Sequence, residues 1–143
     1  MSNEKIFEDT FNMLCGRLIG EGIHRKVFKC KIRPDLVVKV EEADGYERHF
    51  ANWAESKFWT DNQHYEAVSK WLAPTEYLSP DARVLLQVRC EPVPESFKLP
   101  EQVPSFLTDL KRDNFGFYQG RLVCFDYALA LNTPNVRLKK VEW

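Results

Sequence analysis

Short β-prone runs separated by turn residues dominate the hydrophobic pattern of the chain. Runs of this kind, bounded by Gly, Pro, Asp or Ser, predict strands. Strands are predicted at residues 17–22, 26–32, 36–41, 75–78, 83–90 and 121–127, and 115–118 forms a hairpin with the last of these. The run at 36–41 is nearly all apolar apart from Lys39, which is typical of a strand that is buried on both faces.

Two further segments repeat apolar residues at steps of three and four, which predicts amphipathic helices at 46–60 and 64–72. A helical or irregular segment is expected at 6–14, at most a short helix among the prolines at 101–107, and a strand or extended arm at 134–143. The order of these elements predicts an α+β fold. Its parts are a twisted antiparallel sheet of about five strands, one or two packed helices and a following β-hairpin.

Composition narrows the class of protein without identifying its chemistry. The chain has 143 residues, enough for one domain with a proper core. Its net charge is -1 and it has no long basic run, so no nucleic-acid partner is expected. No stretch resembles a signal peptide or a membrane span, and the four cysteines lack zinc-site spacing. We therefore expect a cytoplasmic protein with reduced thiols and no membrane partner.

Side chains that can carry chemistry concentrate between residues 109 and 126. Asp109, Lys111 and Asn114 precede the predicted hairpin, and Asp126 ends its second strand. Asp and Asn are common in turns for local hydrogen-bonding reasons, but that explanation accounts for neither Lys111 nor the second aspartate. Phosphoryl transfer uses a carboxylate base, a cation and oxygen ligands for Mg²⁺. These four residues supply that set.

A glycine-containing turn lies earlier in the chain. Gly20 and Gly22, followed by Arg25 and Val27, fit the spacing Gly-x-Gly-x-x-Gly-x-Val, with Arg25 at the position of the third glycine. An arginine at that position adds a side chain that can either contact a phosphate or block it.

Lys39 is the polar residue of the run Val37-Val38-Lys39-Val40. A lysine in a buried strand needs a partner, unless it lies at an edge and extends its amine to solvent. The helix that follows offers Glu55 or Glu47 as the partner, and Glu55 is preferred because of its interval from Lys39 and its place beside the apolar face. The glycine turn, the strand with Lys39 and the segment from 109 to 126 occur in the order in which protein kinases carry their motifs. Over residues 18–131 the chain therefore resembles the protein-kinase-like fold.

The resemblance implies ATP and Mg²⁺ as cofactors and assigns a role to each candidate. Asp109 is the implied catalytic base and Lys111 its companion cation, while Asn114 and Asp126 are the implied metal ligands. The implied nucleotide-binding residues are Gly20, Gly22, Arg25, Val27, Lys39 and Glu55.

The chain also departs from the kinase pattern, since Leu107-Thr108 stands where most protein kinases have His-Arg. We expect a minimal single domain, with a small lobe at 18–90, a hinge and connector at 91–107 and a catalytic-loop hairpin at 108–131. It would lack the activation segment and the rest of the large lobe, leaving a surface for a protein partner or a second copy. The expected function is ATP and Mg²⁺ binding with phosphoryl transfer to a hydroxyl. The alternative is a non-catalytic pseudokinase module that docks on another protein and modulates it.

Overall fold

The computed structural model describes residues 2–41, 50–131 and 136–143. The chain divides into two compact units, the first made of residues 1–52 and 76–89 and the second of residues 53–75 and 90–143. The small lobe was predicted at 18–90, and one division between the units lies close to its end, between residues 89 and 90. Residues 53–75, which the prediction placed in the small lobe, belong to the second unit. A single domain stays a prediction.

An antiparallel sheet forms the body of the first unit. Within the described residues its strands follow the order β1-β2-β3-β5-β4. Their bounds are β1 (Cys15–Glu21), β2 (Arg25–Cys30), β3 (Leu36–Glu41), β4 (Thr75–Leu78) and β5 (Val84–Val88). The central strand β3 is buried along its whole length, as its apolar run predicts.

Helix α1 (Asn3–Leu14) contacts this sheet through Phe7 and Phe11, and none of its residues is fully buried. Ser2 caps it by accepting a hydrogen bond from the backbone N–H of Lys5 at 3.2 Å, which satisfies one of the orphan donors of the first turn. Phe11 packs edge-on against Phe28 of β2, with 5.1 Å between ring centroids. The predicted segment at 6–14 is therefore a helix.

The second unit combines helices with short strands. Helix α2 (Ala51–Asn62) continues into it from the first unit, and α3 (Glu66–Ser69) follows. Strands β6, β8 and β9 form one small sheet of the described residues, and β7 pairs with β10. Their bounds are β6 (Glu91–Pro92), β7 (Gln102–Pro104), β8 (Phe115–Tyr118), β9 (Arg121–Cys124) and β10 (Leu138–Lys140).

The core of the second unit lies among these elements. Apolar side chains from α2, α3 and both small sheets form one buried cluster, whose members are Phe58, Val68, Leu72, Val103, Phe106, Leu107, Phe115, Cys124 and Tyr127. The cluster surrounds the base of the β8–β9 hairpin, so the loop before the hairpin is built on a packed support.

The β8–β9 hairpin matches the prediction. Its turn consists of Gln119 and Gly120, both with positive φ, 50° and 76°. Positive φ at both central residues is the mark of a type I′ turn, which suits the twist of paired strands.

The predicted α+β class, with an antiparallel sheet of five strands and a few helices, is confirmed for the described part of the chain. Its kinase-like character stays a prediction. At 101–107, where at most a short helix was expected, Gln102–Pro104 pairs as a strand with Leu138–Lys140. The helix predicted at 64–72 is shorter in the structure, at Glu66–Ser69. The helix predicted at 46–60 is observed as Ala51–Asn62, and positions 46–49 lie outside the described residues.

Candidate functional site

Asp109 and Asn114 contact each other in the loop before the hairpin. The Nδ2 amide of Asn114 donates to the backbone carbonyl of Asp109 at 2.7 Å and to its carboxylate Oδ2 at 3.3 Å. Asn114 is only 6% exposed and ends a single turn of 3₁₀ helix at Arg112–Asn114. Because the amide nitrogen faces Asp109, the amide oxygen is the atom of Asn114 that can ligate a cation.

Lys111 completes this group, which we call the 109–114 cluster: Asp109, Lys111 and Asn114. Its ammonium lies 3.6 Å from Asp109 Oδ1, in a pair that is exposed to solvent. Asp109 itself has φ of 49°, an uncommon conformation for a residue other than glycine. Non-glycine residues in this region cluster at functional sites, where the surrounding structure holds them.

Asp126 lies at the same end of the hairpin. The backbone N–H of Phe125 donates to the carbonyl of Asn114 at 2.9 Å, so the residue directly before Asp126 is bonded to the cluster. Downstream, the hydroxyl of Thr108 donates to the carbonyl of Leu129 at 2.6 Å. The chain on both sides of Asp126 is therefore tied to the loop that carries Asp109 and Asn114. The segment that carries Asp126 is thus bonded to that loop within the second unit, and convergence of the three side chains on one cleft stays a prediction.

The donor types in this neighbourhood fit a magnesium ion that also binds phosphate. Two carboxylates and an amide oxygen are hard oxygen ligands of the kind Mg²⁺ prefers. Among the residues that the structure describes, no three Asp, Glu, His or Cys side chains gather closely enough to hold a metal by themselves. Mg²⁺ commonly takes only one or two carboxylates from the protein and completes its shell with water and phosphate oxygens.

Arg112 supports the loop in a way that the sequence did not reveal. Its Nη2 donates to three backbone carbonyls of the preceding connector, those of Pro94 at 2.8 Å, Glu95 at 3.1 Å and Phe97 at 2.7 Å. In the sequence Arg112 stands beside Asp113 and resembles any charged turn residue. Only the path of the proline-rich connector shows that it anchors the loop.

Glu55 is fully buried in α2, with no exposed surface. Its Oε2 accepts a hydrogen bond from the backbone N–H of Tyr127 at 2.8 Å. Tyr127 in turn donates its hydroxyl to the carbonyl of Ala73 at 2.7 Å. A buried carboxylate thus fixes the residue that follows Asp126, a role that the sequence did not predict.

The predicted pair of Lys39 with Glu55 stays a prediction, because Lys39 belongs to the first unit and Glu55 to the second. The alternative partner, Glu47, lies outside the described residues. Lys39 is only 2% exposed, which excludes an edge lysine that extends into solvent.

Three of the predicted nucleotide-binding residues form a row across the first sheet. Gly20 pairs with Val27 across β1 and β2, and Val27 pairs with Lys39 across β2 and β3. Directly paired residues point their side chains to the same face, so Val27 and Lys39 share one face of the sheet. Their role in binding a nucleotide stays a prediction.

Arg25 is engaged inside the first unit. It is 9% exposed, and its Nη1 donates to Asn52 Oδ1 at 3.2 Å. The Nδ2 of Asn52 donates to the carbonyls of Lys39 at 3.0 Å and Arg83 at 3.1 Å, and its backbone N–H donates to Glu41 Oε1. Asn52 therefore organises a buried polar group around Arg25, and the predicted phosphate contact of Arg25 stays a prediction.

Gly20 and Gly22 are not required by the backbone or by packing. Neither has positive φ. A Cβ at Gly20 would approach Val27 Cβ at 3.6 Å, and one at Gly22 would approach the Arg25 carbonyl at 3.8 Å, both ordinary contacts. The two glycines leave room beside the turn without being needed for the fold. Close approach of a ligand to the backbone is one role that such glycines serve.

No protein-family model matches this chain, and no curated protein sequence matches it. In the described part of the chain, none of the helices is both long and apolar enough to cross a bilayer.

Proposed function

We propose that this protein is a kinase-like phosphotransferase that binds ATP with Mg²⁺ and transfers a phosphoryl group to a hydroxyl. The observation that carries the proposal is the contact of Asp109 with Asn114 in a loop whose backbone is bonded to the segment bearing Asp126. A base and two oxygen ligands for a metal are the protein groups that phosphoryl transfer needs at the reacting end of the nucleotide.

Asn114 and Asp126 hold the metal in this proposal. Asn114 uses its amide oxygen, because its amide nitrogen is bonded to Asp109. Asp126 lies two residues after the end of β9 and contributes a carboxylate. When bound, Mg²⁺ neutralises charge on the nucleotide phosphates. Asn114 and Asp126 contribute by being held in place before the ligand arrives, since the loop is anchored by Arg112 and the Asp126 segment by Glu55.

Asp109 acts as the base. Its carboxylate is accessible to an acceptor hydroxyl, and its position is fixed by Asn114 and by the unusual backbone conformation. It accepts the proton of the attacking hydroxyl on a carboxylate oxygen. Lys111, beside Asp109 Oδ1, supplies positive charge next to the site of transfer.

A thermal-shift titration tests the proposal directly. The wild-type chain is heated with ATP, with Mg²⁺, and with both, because a ligand that binds the native state raises the melting temperature by mass action. We expect a concentration-dependent rise only with both present, and we expect Asp126→Ala to abolish it. Asp113→Ala is the matched control, since Asp113 is an exposed aspartate of the same loop and should leave the shift intact.

Asp109→Ala separates binding from chemistry. It should keep the thermal shift with ATP and Mg²⁺ while losing phosphoryl transfer or hydrolysis, because the base acts on the acceptor and not on the nucleotide. A wild-type protein whose melting temperature does not respond to ATP with Mg²⁺ would contradict the proposal.

A second function is favoured by a different observation. Leu129, Leu131 and Leu138 of the second unit are at least half exposed, so their apolar side chains are accessible to a partner. These side chains support the alternative of a non-catalytic module that docks on another protein or on a second copy. In that case the wild-type chain would associate in light-scattering measurements without responding to nucleotide, and Leu129→Asp would weaken the association.

A further inference from the structure

Cys15 and Cys30 face each other across the first two strands of the first unit. The register of β1 and β2 makes them direct partners. Both are free cysteines and both are buried, 7% and 4% exposed. The proposed nucleotide chemistry uses neither thiol.

The hydrogen bond beside this pair determines its geometry. The backbone N–H of Lys31 donates to the carbonyl of Leu14 at 2.8 Å. Leu14 and Lys31 are the next residues outward along the same ladder. Bonded and non-bonded pairs alternate in an antiparallel ladder, so Cys15 and Cys30 occupy a non-hydrogen-bonded position.

That position is compatible with a disulfide. The Cα atoms of a non-hydrogen-bonded pair lie about 4.5 Å apart, with their side chains close together on one face. Disulfides bridge Cα separations of about 4.4–6.8 Å. The pair therefore lies at the short end of the permitted range, where a bond can form without moving the strands apart.

The surroundings of the pair agree with this register. Burial, followed by the nearby Cys30, raises the pKa of the Cys15 thiol to about 11, and Lys31 opposes the shift. At neutral pH Cys15 is a protonated thiol with a small thiolate fraction, so its exchange with a disulfide reagent is slow and needs the reagent in excess.

We propose that Cys15 and Cys30 form a redox-active dithiol that low-molecular-weight disulfides, such as oxidised glutathione, convert to an intramolecular disulfide. One cysteine, as its thiolate, attacks a sulfur of the reagent, forming a mixed disulfide and releasing one reagent thiolate. The other cysteine attacks the protein sulfur of the mixed disulfide, which closes the Cys15–Cys30 bond and releases the second reagent thiolate. The protein loses two electrons and two protons, and the reagent gains them as two thiols.

The disulfide would close a loop that contains the glycine turn at 20–22. A crosslink of this kind restricts the unfolded chain, so the oxidised protein should melt at a higher temperature than the reduced protein.

The test is oxidation of the folded full-length chain by excess oxidised glutathione, followed by alkylation of the remaining thiols in denaturant and non-reducing peptide mapping. We expect two of the four thiols to be lost, one peptide joining Cys15 to Cys30, and full reversal by dithiothreitol. Cys90→Ser is the matched control and should give the same crosslink, because Cys90 lies in the other unit. Cys15→Ser and Cys30→Ser should each prevent the crosslink.

Three results would overturn the proposal, and each is read from the wild-type chain even if a variant fails to fold. The first is that all four thiols remain alkylatable under conditions that oxidise the urea-unfolded chain. The second is that the reaction stops at a mixed disulfide with glutathione. The third is that the crosslinked peptides contain Cys90 or Cys124.

Discussion

Asn114 is the residue on which the geometry of the 109–114 cluster depends. Its side chain is buried and bonds both the backbone and the carboxylate of Asp109. The sequence identified Asn114 by its spacing from Asp109, but spacing does not say that the amide nitrogen points at the aspartate. That orientation leaves the amide oxygen for a metal, and it makes Asn114 important for stability as well as for binding.

Replacing Asn114 with Ala should therefore destabilise the protein even without nucleotide. The change removes two hydrogen bonds to Asp109 from a buried site, and we expect a loss of about 1–3 kcal/mol in the free energy of unfolding. Urea denaturation monitored by tryptophan fluorescence measures the loss. Gln119→Ala is the control, because Gln119 is exposed at the hairpin tip and should change the free energy much less. Equal stability of Asn114→Ala and wild type would contradict the described geometry.

Asp35 provides a residue-scale test in the first unit. Arg33 donates to Asp35 Oδ1 at 2.9 Å and to Oδ2 at 2.7 Å. These hydrogen bonds hold the pKa of Asp35 below its ordinary value of 3.8. A carboxylate whose pKa is lower in the folded state contributes stability above the pKa of the unfolded chain and loses it as pH falls through the folded pKa.

An NMR titration of the Asp35 carboxyl carbon should show this lowered pKa, and Arg33→Gln should raise it towards 3.8. Lys57→Gln is the control, because Lys57 pairs with Asp61 in the other unit and its loss should leave the Asp35 titration unchanged. An unchanged Asp35 pKa in Arg33→Gln would show that the pair does not persist in solution.

At the scale of elements, the sequence predicted the strands of the first sheet better than the small sheets of the second unit. The first five strands carry apolar runs bounded by turn residues, and periodicity is a strong signal there. Strand β7 was missed because one of its three residues is a proline and further prolines precede it in the chain. Such a segment favours turn or irregular structure. It is a strand because Leu138–Lys140, distant in sequence, pairs with it.

Gly116 of β8 allows a prediction about the pairing of β6 with β8 in the small sheet that follows the 109–114 cluster. A Cβ at Gly116 would lie 2.7 Å from Cys90 Cβ and 2.9 Å from the Glu91 carbonyl, closer than side chains normally approach. Gly116→Ala should force β6 and β8 apart and cost about 1–3 kcal/mol in the free energy of unfolding.

Gly22→Ala is the matched control for Gly116→Ala. It adds the same methyl group where only an ordinary contact is made, so it should change the free energy of unfolding by less than about 0.5 kcal/mol. The same variant should weaken nucleotide binding if Gly22 admits a phosphate. Chemical denaturation measures the first effect, and a thermal-shift titration with ATP and Mg²⁺ measures the second. A stable Gly116→Ala protein would contradict the close pairing of β6 with β8.

At the scale of the whole molecule, the sequence predicted the identity of the candidate site residues more fully than their support. Asp109, Asn114 and Asp126 were predicted as site residues because their chemical types recur at the intervals that phosphoryl transfer uses. Arg112, Glu55 and Asn52 act through backbone groups distant in sequence. No spacing rule reveals such contacts, because they depend on how connectors and helices pack after folding.

The proposed nucleotide site and the Cys15–Cys30 dithiol can fail independently. Oxidation of the dithiol is read from thiol chemistry in the first unit, whereas metal binding is read at Asn114 and Asp126 in the second. A protein that forms the disulfide but binds no nucleotide would support the docking function together with the redox inference.

The central claim is that Asn114 and Asp126 bind a divalent metal together with ATP, and paramagnetic NMR tests it most directly. Mn²⁺ replaces Mg²⁺ at oxygen sites and broadens the signals of nearby nuclei. Titrating Mn²⁺ with excess ATP into labelled protein should first broaden the side-chain amide of Asn114 and the backbone amide of Asp126, while the exposed side-chain amide of Gln63 stays sharp. Asp126→Ala should remove the effect. Broadening that spares Asn114 and Asp126, or no broadening at all, would contradict the account.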